Sequence, residues 1–314
     1  MLLPVVFIIL SIGLLYYGAE YVLESAEKVG KILGMSPLLV GMILVGFGTS
    51  LPEFFVGHIA ALENQPGIAF GSLIGSNIAN IFLILGITGL IAKLSTIGES
   101  LKEHLIVHLL LCMSLFFVLG QKELGLIAST PLIGILIIYL FFILKDMKRS
   151  KTQSQLVQKE LVSGKDLMFL LFKLLVGFAL LYAGGELLVK GGVGLGSNLG
   201  IDPYIVSSIF IAFGTSFPEL VTALMAAFKK KDTDIIVGNI IGSNIFNCAF
   251  ILGTLGIYNF KITTNFAIEL YALLGGATLL VMLSLFQKSF YRFTGGLFLC
   301  VYIGVVFHWL NIKP

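Results

Sequence analysis

The sequence predicts an all-α polytopic membrane protein, with ten transmembrane helices in two inverted five-helix repeats. Three observations predict it. Hydrophobic residues make up 57% of the 314 residues and charged residues only 12%, about half the charged share of an ordinary soluble domain; the mean hydropathy is +1.02. The apolar residues fall into ten runs, each long enough to cross a hydrocarbon layer of about 30 Å, which takes about 20 helical residues. Two polar motifs in the first five runs return in the last five.

The runs lie near 2–24, 37–61, 68–92, 102–120, 124–145, 166–190, 203–228, 235–258, 265–286 and 291–311. The first is apolar from Leu2 with no basic stretch before it, so it reads as a retained span rather than a cleaved leader. The connections are short except for residues 146–165. That stretch is polar and basic, and reads as a cytoplasmic linker between repeats 1–145 and 166–314. With the N-terminus outside, the outer loops receive Lys122, Lys190, Lys261 and Lys313 of the 20 Lys and Arg. All the others fall inside, so the positive-inside rule puts both termini outside and the chain in the cell (inner) membrane. The implied partners are the bilayer and small ions. A net charge of +3 gives no reason to expect nucleic acid, and no obligatory protein partner is evident. Cys112, Cys248 and Cys300 stand in apolar runs without ligand-like spacing and read as small core residues.

The repeat is visible residue by residue. Gly18, Glu20, Pro37, Gly48, Pro52 and Glu53 return at Gly184, Glu186, Pro203, Gly214, Pro218 and Glu219, a constant offset of 166. The second motif returns at 167, from Ser76 to Ser243, which fits one residue inserted near Lys229 to Asp234. Five spans per half is an odd number, so the second half enters the membrane upside-down. Inverted repeats of this kind place substrate sites near the midplane, between the repeats.

The first motif is Gly48-Thr49-Ser50-Leu51-Pro52-Glu53, repeated as Gly214-Thr215-Ser216-Phe217-Pro218-Glu219. A carboxylate inside a span is costly and marks function. Pro52 lacks an N–H and crowds the carbonyl of Gly48; Pro218 does the same at Gly214. Spans two and seven should break there and free carbonyls near Gly46, Gly48, Ala212 and Gly214. Thr49, Ser50 and Glu53 share a helix face, as do Thr215, Ser216 and Glu219. The second motif is Gly75-Ser76-Asn77-Ile78-Ala79-Asn80, repeated as Gly242-Ser243-Asn244-Ile245-Phe246-Asn247. Ser76 lies on one face with Asn80, and Ser243 with Asn247. Gly71, Gly75, Gly238 and Gly242 permit close helix approach. The donors are carboxylates, amide carbonyls, hydroxyls and backbone carbonyls, all hard oxygens, with no Cys or His required. That set suits calcium. Interhelical hydrogen bonding could explain one such motif alone; a duplicated pair, each with a buried Glu, points to an ion site.

These motifs resemble the two alpha-repeats of the calcium/cation antiporter superfamily, in its sodium/calcium exchanger branch, and the resemblance covers essentially the whole chain. It implies one calcium site flanked by sodium sites, with calcium held by Glu53, Glu219 and the carbonyls of Thr49 and Thr215. It implies an inner sodium site of Gly46, Ser50 and Ser76 and an outer one of Ala212, Ser216 and Ser243, with Asn80 and Asn247 lining the middle. It also implies that spans one and six slide over a rigid core. Potassium-dependent relatives carry Asp where Asn247 stands, which weighs against potassium here. The proton/calcium branch has an Asn-Ala-x-Glu type of motif in place of Thr-Ser-x-Pro-Glu and fits less well.

The expected function is secondary sodium/calcium antiport by alternating access, electrogenic and directed toward calcium extrusion. The alternatives are a potassium-dependent or proton-coupled calcium antiporter and, in another class, a passive cation channel. Inverted halves around a closed polar centre favour alternating access over a pore. No nucleophile–base pair or His cluster points to an enzyme, and no cofactor is implied beyond the transported ions. His58, whose counterpart is Leu224, reads as a packed histidine. Glu20 and Glu186 match across the halves near the ends of their spans.

Overall fold

With no water at bilayer depth, a spanning segment must satisfy its own backbone N–H and C=O groups, and the apolar runs do so as helices. The computed structural model describes residues 2–154, 164–198, 215–262 and 265–311. Its helices are α1 (Leu2–Leu33), α2 (Pro37–Leu62), α3 (Pro66–Ile91), α4 (Glu99–Leu119), α5 (Leu126–Ser154), α6 (Gly164–Asn198), α7 (Phe217–Phe228), α8 (Thr233–Tyr258), α9 (Ala267–Leu285) and α10 (Arg292–Asn311). Nine of these are long and apolar enough to span among the described residues; α7 is shorter there. The rest of the seventh predicted span, with Pro203, Ala212 and Gly214, lies outside the described residues.

Three helices run further than the hydropathy predicts. α1 continues to Leu33, and α6 continues to Asn198. α5 continues to Ser154, so much of the expected 146–165 linker is helix. Lys148, Arg149 and Lys151 are good helix formers, and Asp146 is pinned to Ser100 and to His104 Nε2 of α4, the latter at 2.9 Å. Hydropathy marks where the oil ends, not where the helix ends.

α3 and α8 are the central helices, with 78% and 89% of their spanning windows buried; α1 and α6 are peripheral, at 22% each. α1 and α6 lie against each other through bare backbone. A Cβ at Gly18 would fall 2.8 Å from the amide N of Leu181, and one at Gly184 would fall 3.0 Å from that of Leu15. These are the same contact seen from each repeat.

The connecting loops repeat this symmetry. Strand β1 (Glu123–Leu124) pairs antiparallel with β2 (Phe260–Lys261), with Glu123 opposite Lys261. At the other end of α4, Leu94 bridges Phe290. Leu94 and Phe290 stand 167 residues from Lys261 and Glu123. One staple thus closes each end of the bundle. α1 is also tied to the turn between α7 and α8 by Lys229–Glu20 and by Lys231–Glu27 at 2.7 Å. The Glu20 carboxylate bonded to the Lys229 ammonium raises the pKa of that lysine above its ordinary value.

α2 and α8 meet along a glycine seam. A Cβ at Gly41 would strike the carbonyl of Ile235, and one at Gly242 would lie 2.8 Å from Met42 Cα. Neither neighbour is a flexible side chain. Gly41→Ala is therefore expected to destabilise the protein by about 1–3 kcal/mol. Gly304→Ala, on an exposed stretch of α10 with nothing within 4 Å, should be neutral or slightly stabilising. Thermal unfolding of the purified protein in detergent compares the two; equal midpoints would refute the seam.

Candidate ion site

The first proline motif interrupts its helix as predicted; the residues before Thr215 in the second lie outside the described residues. α2 turns at Ser50 (φ −86°, ψ 4°) and resumes at Leu51; α7 begins after Ser216 (φ −88°, ψ 3°). Glu53 and Glu219 thus stand in the first turn of a fresh helical segment, where the backbone N–H groups favour negative charge. The helices also widen. Val40–Gly46 in α2, Ala79–Ile84 in α3 and Phe246–Leu252 in α8 are π-helical, a rare form that is frequent at functional sites. The last two segments are repeat counterparts and carry Asn80 and Asn247.

Glu53, Glu219, Ser50, Ser76, Ser243, Asn80 and Asn247 are all fully buried, with Thr49 and Ser216 nearly so. Several of their contacts cross between repeats. Ser50 Oγ donates to Glu219 Oε1 at 3.3 Å. Ser76 Oγ donates to Glu53 Oε1 at 3.1 Å and lies 3.0 Å from Thr215 Oγ1. The two carboxylates are close enough to interact electrostatically. The second oxygen of each, Asn80 Oδ1, the Asn247 amide and Ser216 Oγ have no hydrogen-bond partner among the described residues. Buried polar atoms ordinarily have one, and here several that lack one gather at a single place. Among the described residues no three His, Cys, Asp or Glu side chains gather as a metal-binding group.

Two expectations need correction. The carbonyl of Gly46 is not freed: it accepts from the Ser50 N–H at 3.2 Å, from Ser243 Oγ at 3.0 Å and from Thr49 Oγ1 at 3.4 Å. Pro52 removes the donor to Gly48, not the donor to Gly46. The serines also group differently. Ser243, not Ser76, stands at Gly46, because the α2–α8 glycine seam brings α8 across the π-helical turn of α2. Ser76 stands instead with Thr215 and Glu53. Ala212 lies outside the described residues. Gly238 and Gly242 make the expected backbone contacts with α2, whereas Gly71 and Gly75 have no described atom within 4 Å of a built Cβ.

Other residues join the site that the repeat does not reveal. Asn239 Oδ1 accepts from Thr49 Oγ1 at 3.4 Å, and its Nδ2 donates to Thr222 Oγ1 at 3.2 Å. Their repeat counterparts are Ser72 and Val56, so symmetry gives no hint of them; a buried amide in an apolar run was the only signal. His58 is a packed histidine between α2 and α8, its ring nitrogens each 3.2 Å from Tyr258 Oη and Thr254 Oγ1. Glu186 pairs with Lys190 on its own helix at 3.2 Å. Cys112 and Cys248 are buried and Cys300 is exposed; all are free thiols.

Two inverted repeats that bury one carboxylate each at their junction, surrounded by hydroxyls and amides, define an ion-transporting membrane protein. The chain matches the family model described as sodium/calcium exchanger protein over residues 3–145 and 169–310, and it belongs to that family. It is 33% identical to the inner membrane protein YrbG of Escherichia coli over 262 residues, 81% of this chain and 79% of the relative. It is 29% identical to the sodium/calcium exchanger MaX1 of Methanosarcina acetivorans over 300 residues, 82% and 84% of the two chains. A solved structure of the sodium-calcium exchanger NCX_Mj, soaked with sodium and strontium, superposes with a TM-score of 0.84 at 27% identity and covers both chains completely.

Proposed function

We propose that this protein is a secondary antiporter that exchanges sodium for calcium by alternating access, expelling calcium on the inward sodium gradient. One observation carries the reading: the buried carboxylates and hydroxyls interlock across the repeats, with Ser50 donating to Glu219 and Ser76, which donates to Glu53, standing 3.0 Å from Thr215 Oγ1. Glu53 and Glu219, with the carbonyls of Thr49 and Thr215, hold calcium, whose charge the two carboxylates neutralise. Gly46, Ser50 and Ser243 form one sodium site beside Glu219. Ser76, Thr215 and Ser216, with Ala212, form the other beside Glu53. Asn80 and Asn247 line the middle. The chain divides into repeats 1–145 and 166–314 about a cytoplasmic connection, with both termini outside. This is transport rather than enzyme chemistry, with sodium and calcium as cargo and the bilayer as the standing partner.

Glu53→Gln and Glu219→Gln keep the side-chain shape and remove the anion. Each should abolish sodium-driven calcium uptake in proteoliposomes; near-native exchange by either variant would sink the assignment. Protons compete with cations for the same carboxylate oxygens, so calcium uptake should fall as pH drops below neutrality. A flat pH series there would count against Glu53 and Glu219 as ligands.

Coupling follows from charge. With Asn80 and Asn247 neutral, one calcium ion cancels the two carboxylates. Exchange against more than two sodium ions then moves net positive charge, on which the membrane potential acts by about 2.3 kcal/mol per elementary charge per 100 mV. An inside-negative potential should drive sodium in and calcium out, without potassium. The measurement is calcium flux in potassium-free proteoliposomes at several clamped potentials; a potassium requirement, or a flux indifferent to voltage, rejects it.

A further inference from the structure

The two central amides are held differently. Asn80 Nδ2 donates to Asn244 Oδ1 at 3.0 Å. Asn244 Nδ2 faces the backbone carbonyl of Asn77 at 3.4 Å and His108 Nε2 of α4, also at 3.4 Å. Asn80, Asn244, Asn77 and His108 are each at most 1% exposed, so this chain is shielded from bulk water. The repeat-related amide has no such support: Asn77 Nδ2 turns instead to Leu73 O and Cys248 Sγ, and neither polar atom of Asn247 has a partner among the described residues.

The direction of the chain is determined by chemistry. A backbone carbonyl only accepts, so the NH2 end of Asn244 must face Asn77 O. Its oxygen then faces Asn80, which must answer with its own NH2. That leaves Asn80 Oδ1, buried and unpaired, as the atom offered to a cation. His108 Nε2 can accept the second N–H of Asn244 only as neutral imidazole protonated at Nδ1, which itself has no partner among the described residues. Cys112 Sγ lies 3.9 Å from the same nitrogen. The repeat counterpart of His108 is Gly275, so α9 offers no equivalent.

We infer that His108 and Asn244 are positioning residues that fix the Asn80 amide with its oxygen toward the ion site. Asn80 is thereby a committed oxygen donor, while neither end of the Asn247 amide is engaged among the described residues. The inference rests on the proposed role of Asn80 as an ion-lining residue.

The test separates the nitrogen of His108 from its ring. His108→Phe keeps a ring and loses the acceptor; His108→Gln loses the ring and keeps an acceptor. Calcium uptake by proteoliposomes of the full-length protein, titrated with calcium, should show about a tenfold loss of apparent affinity in His108→Phe, the size typical when a ligand loses its orienting partner. The loss should fall on the half-saturating concentration rather than the maximal rate, and His108→Gln should stay within about twofold of the parent. A space-filling role predicts the reverse order and would overturn the inference. Asn80→Ala should also weaken affinity, and adding His108→Phe to it should cost little more, because residues acting as one unit are non-additive. Full additivity would overturn the positioning role alone. No effect of Asn80→Ala on affinity would instead remove Asn80 from the ion site, and this inference with it.

Discussion

Two carboxylates buried at bilayer depth are the constraint on which the rest of this structure depends. Neither Glu53 nor Glu219 has a lysine or arginine beside it among the described contacts; what reaches them are hydroxyls, Ser50 from across the repeat boundary on Glu219 and Ser76 from its own repeat on Glu53. A carboxylate left to itself in hydrocarbon is expensive. The fold therefore brings four helix segments, α2, α3, α7 and α8, close enough for short Ser and Thr side chains to meet Glu. That proximity is why the seam between α2 and α8 is glycine, and why π-helical turns appear where Gly46, Asn80 and Asn247 must be aimed. Packing, backbone irregularity and charge are one problem solved at one place.

The same constraint explains what could be read without coordinates. A Glu beside a Pro within an apolar run is legible because both residues break local rules, and the structure interrupts α2 at Ser50 and starts α7 after Ser216. The two-fold organisation is legible because it is written twice; the paired staples Glu123–Lys261 and Leu94–Phe290 repeat it in the loops. The π-helical turns were not legible. In an all-apolar run such as Val40–Gly46, widening the helix leaves no change in residue type to betray it. The partnering of Ser243 with Gly46 was equally hidden. Sequence spacing says which residues share a face of one helix, but not which opposing helix that face meets.

Asn239, Thr222 and His108 mark a different limit. Each contributes to the site or its support, and each has a repeat counterpart of different chemistry: Ser72, Val56 and Gly275. Reading by repeat finds what the halves share and passes over what one half alone carries.

That distinction extends outward from the centre. The polar residues of the two motifs that carry the carboxylates and their surroundings are matched between repeats: Thr49 with Thr215, Ser50 with Ser216, Ser76 with Ser243, Asn80 with Asn247. One shell out the match fails. α4 carries His104 bonded to Asp146 and His108 bonded to Asn244, whereas its counterpart α9 carries Glu269, which accepts from Trp309 Nε1 at 2.6 Å. A site that is reached from opposite faces in turn needs similar ligands on both approaches, so symmetry at the carboxylates follows from the work done there. The supporting helices meet no such demand. They need only fix the ligands, and two unrelated sets of buried polar contacts can do that equally well. The asymmetric shell is accordingly where the two halves of the site can differ in rigidity, with Asn80 held by a chain of hydrogen bonds and Asn247 without one among the described residues.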